Sequence, residues 1–248
     1  LYKKSCLVER GSFRPLTKVN LDMLEKAKAQ FVSRPDVEAD NVQVFMELTL
    51  HKLECEGELD YQDFLARVDV INACGHDVLV SSYFEYYKLS AFLRRYVTQP
   101  IGIVMGINNL LDIFKTKYYD SLEGGILEAF GILFKENLKL YAYPIERSSF
   151  ERYRQLDEEE EQAEIETDAD GLLTTDNLRV DDHVRNLYKY VRENGFLEPI
   201  HDCDRANMDL FSRDVIEMIR EGREGWEEMV PPAVAQIVKA RGLWGCQR

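Results

Sequence analysis

The stretch Gly11-Ser12-Phe13-Arg14-Pro15-Leu16-Thr17-Lys18-Val19-Asn20 collects residue types suited to holding an anion. Gly11 lets the backbone approach a ligand closely because it carries no Cβ. The apolar run Cys6–Glu9 before it reads as a short strand, and the periodic run Leu21–Phe31 after it reads as a helix. A turn joining strand to helix aims the helix's first free N–H groups, and the positive end of its dipole, at whatever lies over it. Arg14 and Lys18 bring two full positive charges to the same place. The plainer reading of these residues is a βα turn in which Thr17 or Asn20 caps the helix.

Other residues with chemical potential are scattered. Cys74-Gly75-His76 and His201-Asp202-Cys203-Asp204 hold metal-ligand side chains. The first group enters a predicted strand and the second leaves one, which in a parallel sheet separates them to opposite edges, so no shared metal site is expected. Tyr83-Phe84-Glu85-Tyr86-Tyr87 offers faces on which nucleic-acid bases could stack. Only Lys88, Arg94 and Arg95 accompany it, and its spacing fits a helix packed on a sheet or against another domain. Gly124-Gly125 is either a second anion-binding helix start or a turn that needs permissive backbone. The chain has no nucleophile-elbow triad and no Gly-Lys-Ser/Thr phosphate loop.

The elements that would position these residues alternate along the chain. Strands are predicted at Cys6–Glu9, Val42–Leu48, Asp77–Ser81, Ile101–Met105, Leu138–Tyr143 and Phe196–Ile200. Helices are predicted at Leu21–Phe31, Tyr61–Ala73, Phe84–Tyr96, Ile126–Phe134 and Asp181–Arg192. Two short helices close the chain. Ser212 is expected to cap the first and Gly222 to end it; Pro232 opens the second and Gly242 stops it. Such alternation predicts an α/β fold, a Rossmann-like doubly wound and mostly parallel sheet with helices on both faces. Residues 1–248 read as one domain with an acidic insertion at about 150–180, partly disordered.

Composition agrees with an ordinary globular protein: 248 residues, 45% hydrophobic and 31% charged. The net charge of −14 argues against a broad nucleic-acid surface. Much of that charge is local, since residues 156–170 hold nine acids and no bases. No apolar run is long enough to span a bilayer. Five cysteines, Cys6, Cys55, Cys74, Cys203 and Cys246, form no closely spaced framework and read as free thiols of a reducing, cytoplasmic compartment.

Three segments together resemble one family. Gly11-Ser12-Phe13-x-Pro15-x-Thr17-x-x-Asn20-Leu21 is similar to the opening motif G-S/T-F-x-P-x-T/H-x-x-H of the nicotinamide/nicotinate mononucleotide adenylyltransferases. Leu210-Phe211-Ser212-Arg213-Asp214-Val215, then Ile219-Arg220-Glu221-Gly222, then Met229-Val230-Pro231-Pro232-x-Val234-x-x-Ile237 resembles that family's C-terminal motif and last helix. Between them, Met105-Gly106-Ile107-Asn108-x-Leu110 resembles its G-x-D-x-L. The chain also resembles the C-terminal half of longer bacterial proteins, which implies a preceding domain as a partner.

The resemblance implies adenylyl transfer: the phosphate of a nicotinamide or nicotinate mononucleotide attacks the α-phosphate of ATP and pyrophosphate leaves, with Mg2+ assisting. It places nucleotide contacts at Gly11, Ser12, Phe13, Thr17, Gly106, Asn108 and Ser212 and a catalytic contact at Asn20; Arg14 and Lys18 join the catalytic candidates through their charge beside the turn, and Arg213 as the cation nearest the missing Arg. Here the sequence departs from the pattern. Asn20 stands where the family has His; its amide can donate a hydrogen bond but never carries charge, and losing an electrostatic donor to a developing charge typically costs ~10²–10³-fold in rate. Arg213 replaces a Thr, the family's Arg falls at Ile216, and its strand-end acid falls at Asn108. Three expectations stay open: a nucleotidyltransferase with altered turnover, a nucleotide-binding or scaffolding domain that kept the fold and lost turnover, and an unrelated α/β interaction domain.

Overall fold

The computed structural model describes residues 3–50, 54–55, 58–154 and 167–246. Among the described residues the predicted alternation yields six strands of a central sheet, β1 (Ser5–Arg10), β2 (Val42–Thr49), β3 (Asp77–Ser81), β4 (Ile101–Gly106), β5 (Leu138–Tyr143) and β6 (Leu197–Pro199), beside two short two-stranded pairs. They form one sheet in the order β3-β2-β1-β4-β5-β6, with every neighbouring pair parallel. This is the Rossmann-like doubly wound arrangement, and the winding direction reverses between β1 and β4.

Among the described residues nine α-helices cover the two faces: α1 (Lys18–Val32), α2 (Tyr61–Ala73), α3 (Tyr86–Leu93), α4 (Ile107–Ile113), α5 (Gly125–Leu133), α6 (Arg147–Arg154), α7 (Arg185–Glu193), α8 (Ser212–Glu221) and α9 (Pro232–Arg241). One core joins Leu7, Met46, Val104 and Tyr141 of the sheet to Leu24 and Phe31 of α1, Ile71 of α2, Val215 of α8 and Val234 of α9. The other joins Val8, Ile103 and Leu140 to Leu89 of α3, Leu110 of α4, Phe130 of α5 and Val191 of α7. Side chains alternate across a strand, so consecutive residues of β1 serve opposite cores. All six residues of β1 are buried, including the charged Glu9 and Arg10.

Several boundaries differ from the sequence reading. The helix expected at Phe84–Tyr96 is shorter, because Tyr83–Glu85 remain extended to meet Arg10. Helix α4 was not anticipated: the G-x-N-x-L stretch leaves β4 directly into a helix with Gly106 at its N-cap. Ser212 does not cap α8. Phe211 occupies the cap position without a side-chain bond, and Ser212 is the first helical residue. Gly222 and Gly242 end α8 and α9 in the left-handed region, with φ of 67° and 64°.

The later part of the acidic insertion is folded. Leu172–Leu173 pairs antiparallel with Ile145–Glu146, and Leu173, Thr175 and Leu178 are buried. Most of the acidic run itself, within 155–166, lies outside the described residues. Among the described residues no helix is long and apolar enough to cross a membrane.

Candidate functional site

In doubly wound sheets, ligands sit at the carboxyl ends of the strands where the winding reverses. Here that place lies beyond Arg10 of β1 and Gly106 of β4. The Gly11–Leu16 turn leaves β1 at this edge. Phe13 adopts a left-handed backbone (φ 44°) and turns its ring into the core, where it is 1% exposed. A Cβ on Gly11 would lie 2.7 Å from that ring, so the glycine is required by Phe13 packing as well as by any ligand. The Phe13 side chain therefore anchors the turn from within the core, and the Gly11 N–H is taken by Glu47 O at 3.3 Å.

Helix α2 and the C-terminus clamp the turn from outside. Arg14 Nε lies 2.7 Å from Asp63 Oδ1, a pairing of charge rather than an aligned hydrogen bond. Arg67 is paired with the same carboxylate and donates to Ser12 O at 3.0 Å. Trp244 Nε1 donates to Asp63 Oδ1 at 2.7 Å. Arg14, Arg67 and the exposed Lys18 meet two acids, Asp63 and the helix-capping Asp60, so the cations around the turn are in excess by one, which suits an anion. Asp63, Arg67 and Trp244 gave no signal in the sequence, because their link to the turn is tertiary.

Thr17 caps α1, and Asn20 completes the cap. Asn20 Oδ1 accepts from Thr17 N at 3.1 Å and from Thr17 Oγ1 at 2.8 Å. The Asn20 amide nitrogen donates to Glu9 Oε1 at 3.1 Å. Both cap candidates of the sequence reading thus act together, and the residue at the family's His position is held inward by a buried acid. Glu9 is 1% exposed, and its Oε2 has no hydrogen-bond partner. Burial pushes the Glu9 carboxyl well above the usual range, and the Asn20 hydrogen bond opposes this only in part.

On the other face of the sheet, Arg10 is saturated. It donates to Glu47 (2.5 and 3.3 Å), to Phe84 O at 2.6 Å and to Tyr83 O at 2.7 Å, and its guanidinium lies 4.7 Å from the Tyr86 ring centroid. Ser81 Oγ donates to Glu47 at 2.5 Å. Beside this network lies a cavity of about 70 Å3 lined by Arg10, Thr49, Phe84, Tyr86, Asn109 and Tyr118, among others. The aromatic stretch forms its wall and the core behind it, as Tyr83 packs on Phe92 and Phe84 on Tyr118.

At the end of β4, a Cβ on Gly106 would meet nothing within 4 Å, so the space above the strand is open. Asn108, two residues on, has a buried Oδ1 with no partner. Glu9 is in register with Val104, so Glu9 and Gly106 occupy the same face of adjacent strands at the reversal point.

The C-terminal motif reaches the same face. Val215 and Ile219 share a core with Phe13 and Leu16. Asp22, in the second turn of α1, accepts from Asp204 N at 2.9 Å and from Tyr143 Oη at 2.5 Å, tying the approach to α8 against α1. Ser212 is part-buried at the helix start, and Arg213 is half-exposed, 3.8 Å from Asp214. Ile216 is buried in the position of the family's Arg.

A second cavity, about 520 Å3, lies beyond β5 and β6 and is lined by Pro144, Asp168, Asp176, His201, Asp202 and Arg205, among others. Neither cavity is lined by the Gly11–Lys18 turn or by Ser212. Cys74 and His76 precede β3 while His201–Asp204 follow β6, so the two Cys/His groups lie at opposite edges of the sheet. Among the described residues no group of three or more His, Cys, Asp or Glu side chains could hold a metal ion. At Gly124-Gly125 the Gly124 N–H is taken by Glu128 Oε2 at 2.9 Å, and Gly125 has φ of 56°, which favours the permissive-turn reading.

No protein-family model matches the chain, and no curated protein does. Solved structures do. Two structures of the Plasmodium falciparum nicotinic acid mononucleotide adenylyltransferase, complexed with NaAD and with APC, are similar to it with TM-scores of 0.55 and 0.54. Each is 10% identical, and each match covers 98% of this chain and 98% of the other. At that identity the likeness is one of fold: the chain has the Rossmann-like fold of these adenylyltransferases, along its whole length.

Proposed function

We propose that this chain binds ATP in the crevice above Gly106 and transfers its adenylyl group to a nicotinamide or nicotinate mononucleotide. The observation that carries the reading is the buried Asn108 Oδ1, left without a partner among the described residues two positions beyond Gly106, where the sheet reverses and the space above the strand is open. Buried polar atoms are nearly always satisfied, and an orphan acceptor at this edge is explained by a ligand donor such as a ribose hydroxyl. The electropositive turn carrying Arg14 and Lys18 supplies the complement for a triphosphate.

In the reaction, a phosphate oxygen of the mononucleotide forms a bond to Pα of ATP, the bond from Pα to the β-phosphate bridge breaks, and pyrophosphate leaves. The chain's part is to align these groups and offset the charge on the leaving group. With no protein cage for a metal among the described residues, Mg2+ would enter on the triphosphate, held by phosphate and water oxygens. We expect the chain to act without a nucleic-acid partner and in the cytoplasm.

A second reading has its own support. Asn20 is committed to Thr17 and Glu9, and Ile216 is core, so two cationic positions of the family pattern carry no charge. A nucleotide-binding domain that has lost turnover, scaffolding a larger protein, fits that erosion. Titration with ATP and a pyrophosphate-release assay with either mononucleotide separate the readings. Binding with release supports transfer, binding without release supports the second reading, and no binding removes both. The double variant Arg14→Ala/Lys18→Ala should weaken ATP binding about tenfold or more while its unfolding midpoint stays near wild type; unchanged affinity would remove the turn from the site.

A further inference from the structure

We propose that Glu9 is a ligand-binding residue, a neutral carboxylic acid whose Oε2–H donates a hydrogen bond to a phosphate oxygen of the bound nucleoside triphosphate. The inference rests on the nucleotide reading above and adds to it a residue that no part of the motif resemblance assigns.

Its basis is an ordered chain of hydrogen bonds that ends on an unused atom. Thr17 N–H and Oγ–H both donate to Asn20 Oδ1, which fixes the orientation of the amide. The amide nitrogen then donates to Glu9 Oε1, so Oε1 acts as the carbonyl oxygen of the acid. Oε2 is left buried with no partner among the described residues. A carboxylic acid whose one oxygen accepts has its hydroxyl on the other, and that hydroxyl lacks an acceptor. Two residues beyond its in-register neighbour Val104, on the same face, Gly106 has open space above it, and the capped start of α1 reaches Glu9 through Asn20. The unused donor thus lies on the sheet face, and at the strand ends, where the nucleotide reading puts the anion.

Protonation follows from the surroundings. The in-register neighbours Met46 on β2 and Val104 on β4 are uncharged. On α1, Lys18 is exposed, and Asp22 is bound to Tyr143 and Asp204 N. From the turn, Arg14 is paired with Asp63, and Arg67 of α2 is paired with the same acid. Across the sheet, Arg10 and Glu47 neutralise each other. No cation is left to hold Glu9 ionised, and burial keeps it neutral. An ionised Glu9 would repel a triphosphate; a neutral one supplies the donor that Asn20, turned toward Glu9, gives up at the family's His position.

The test measures affinity for ATP and for inorganic tripolyphosphate across pH in the wild type, Glu9→Gln and Glu9→Ala, with folding followed by circular dichroism. Wild-type affinity for both probes should fall as pH rises through the Glu9 titration. Glu9→Gln, whose amide donates at every pH, should bind both probes without that added decline; its own profile removes the contribution of the probes' phosphate titration. Glu9→Ala should bind both about tenfold or more weakly at low pH. Weak binding by Glu9→Gln at all pH values would mean that a carboxylate is needed and overturns the proposal. Loss confined to ATP, with tripolyphosphate unaffected in Glu9→Ala, would place Glu9 on the nucleoside and overturns it too. If wild type binds neither probe, the nucleotide reading itself fails, an outcome distinct from wild-type binding that is indifferent to Glu9.

Discussion

Glu9 and Arg10 are neighbours in one buried strand, yet they face opposite sides of the sheet and meet opposite fates. Arg10 finds a carboxylate, two carbonyls and an aromatic face, so each of its nitrogens has a partner. Glu9 finds one amide and leaves an oxygen idle. A buried charge that is fully paired is accounted for within the protein, and here it holds the extended Tyr83–Phe84 segment against the ends of β1 and β2. A buried acid that is half paired costs stability and asks for something from outside. The contrast separates a polar cluster closed within the protein from one that leaves a buried oxygen unused.

Breaking the saturated side should have the largest effect. Glu47→Ala removes the only carboxylate bonded to Arg10 among the described residues and leaves a buried guanidinium with two carbonyls and the Tyr86 ring. A loss of about 3–5 kcal/mol in denaturant unfolding is expected. Replacing both members, as Arg10→Met/Glu47→Leu, should recover most of it, because paired burial gains little over good apolar packing. If Glu47→Ala costs under about 1 kcal/mol, the pair is not the anchor described here.

The half-paired side should respond with the opposite sign. A carboxyl whose folded value is raised contributes stability below its unfolded value near 4.5, and that stability is lost as pH rises toward the folded value. Wild-type stability should therefore decline above about pH 4.5, with a slope approaching about 1.4 kcal/mol per pH unit from this group. Glu9→Gln should flatten that slope and be more stable than wild type at neutral pH. A destabilised Glu9→Gln with an unchanged slope would show that Glu9 is ionised in the fold.

Local pattern carried the fold far and the site only partly. Tyr61–Ala73, Asp77–Ser81 and Leu138–Tyr143 form with the predicted bounds, because their apolar periodicity and flanking turn residues agree with their burial. Helix α4 was hidden because seven residues leaving a strand show too little periodicity, and the folding of Leu172–Leu178 was masked by the acids before it. In the site, the glycine turn was legible from its composition. Its partners were not: Arg14 to Asp63, Arg10 to Glu47 and Trp244 to Asp63 span 49, 37 and 181 positions, and such pairings are set by tertiary placement. The one overlooked local signal was two charged residues ending an otherwise apolar strand, Leu7-Val8-Glu9-Arg10.

The smallest effect tests how the two regions differ in rigidity. Trp244 Nε1 donates to Asp63, the acid that also holds Arg14 and Arg67 and, through Arg67, the Ser12 carbonyl. Trp244→Phe keeps an aromatic ring at the C-terminus and deletes that one donor. Asp63 retains both arginines, so the cost should be only about 0.5–1.5 kcal/mol in thermal or denaturant unfolding. Arg14 then loses a restraint on its partner, and because the turn holds the candidate anion site, ATP affinity should fall while the Arg10–Glu47 side stays unaffected. Combining Trp244→Phe with Glu47→Ala should give additive losses, since the two clusters lie on opposite faces of the sheet and share no bonded partner. Coupling well above about 0.5 kcal/mol would show that the faces communicate through β1, and that the division between an anchored side and a binding side is drawn too sharply.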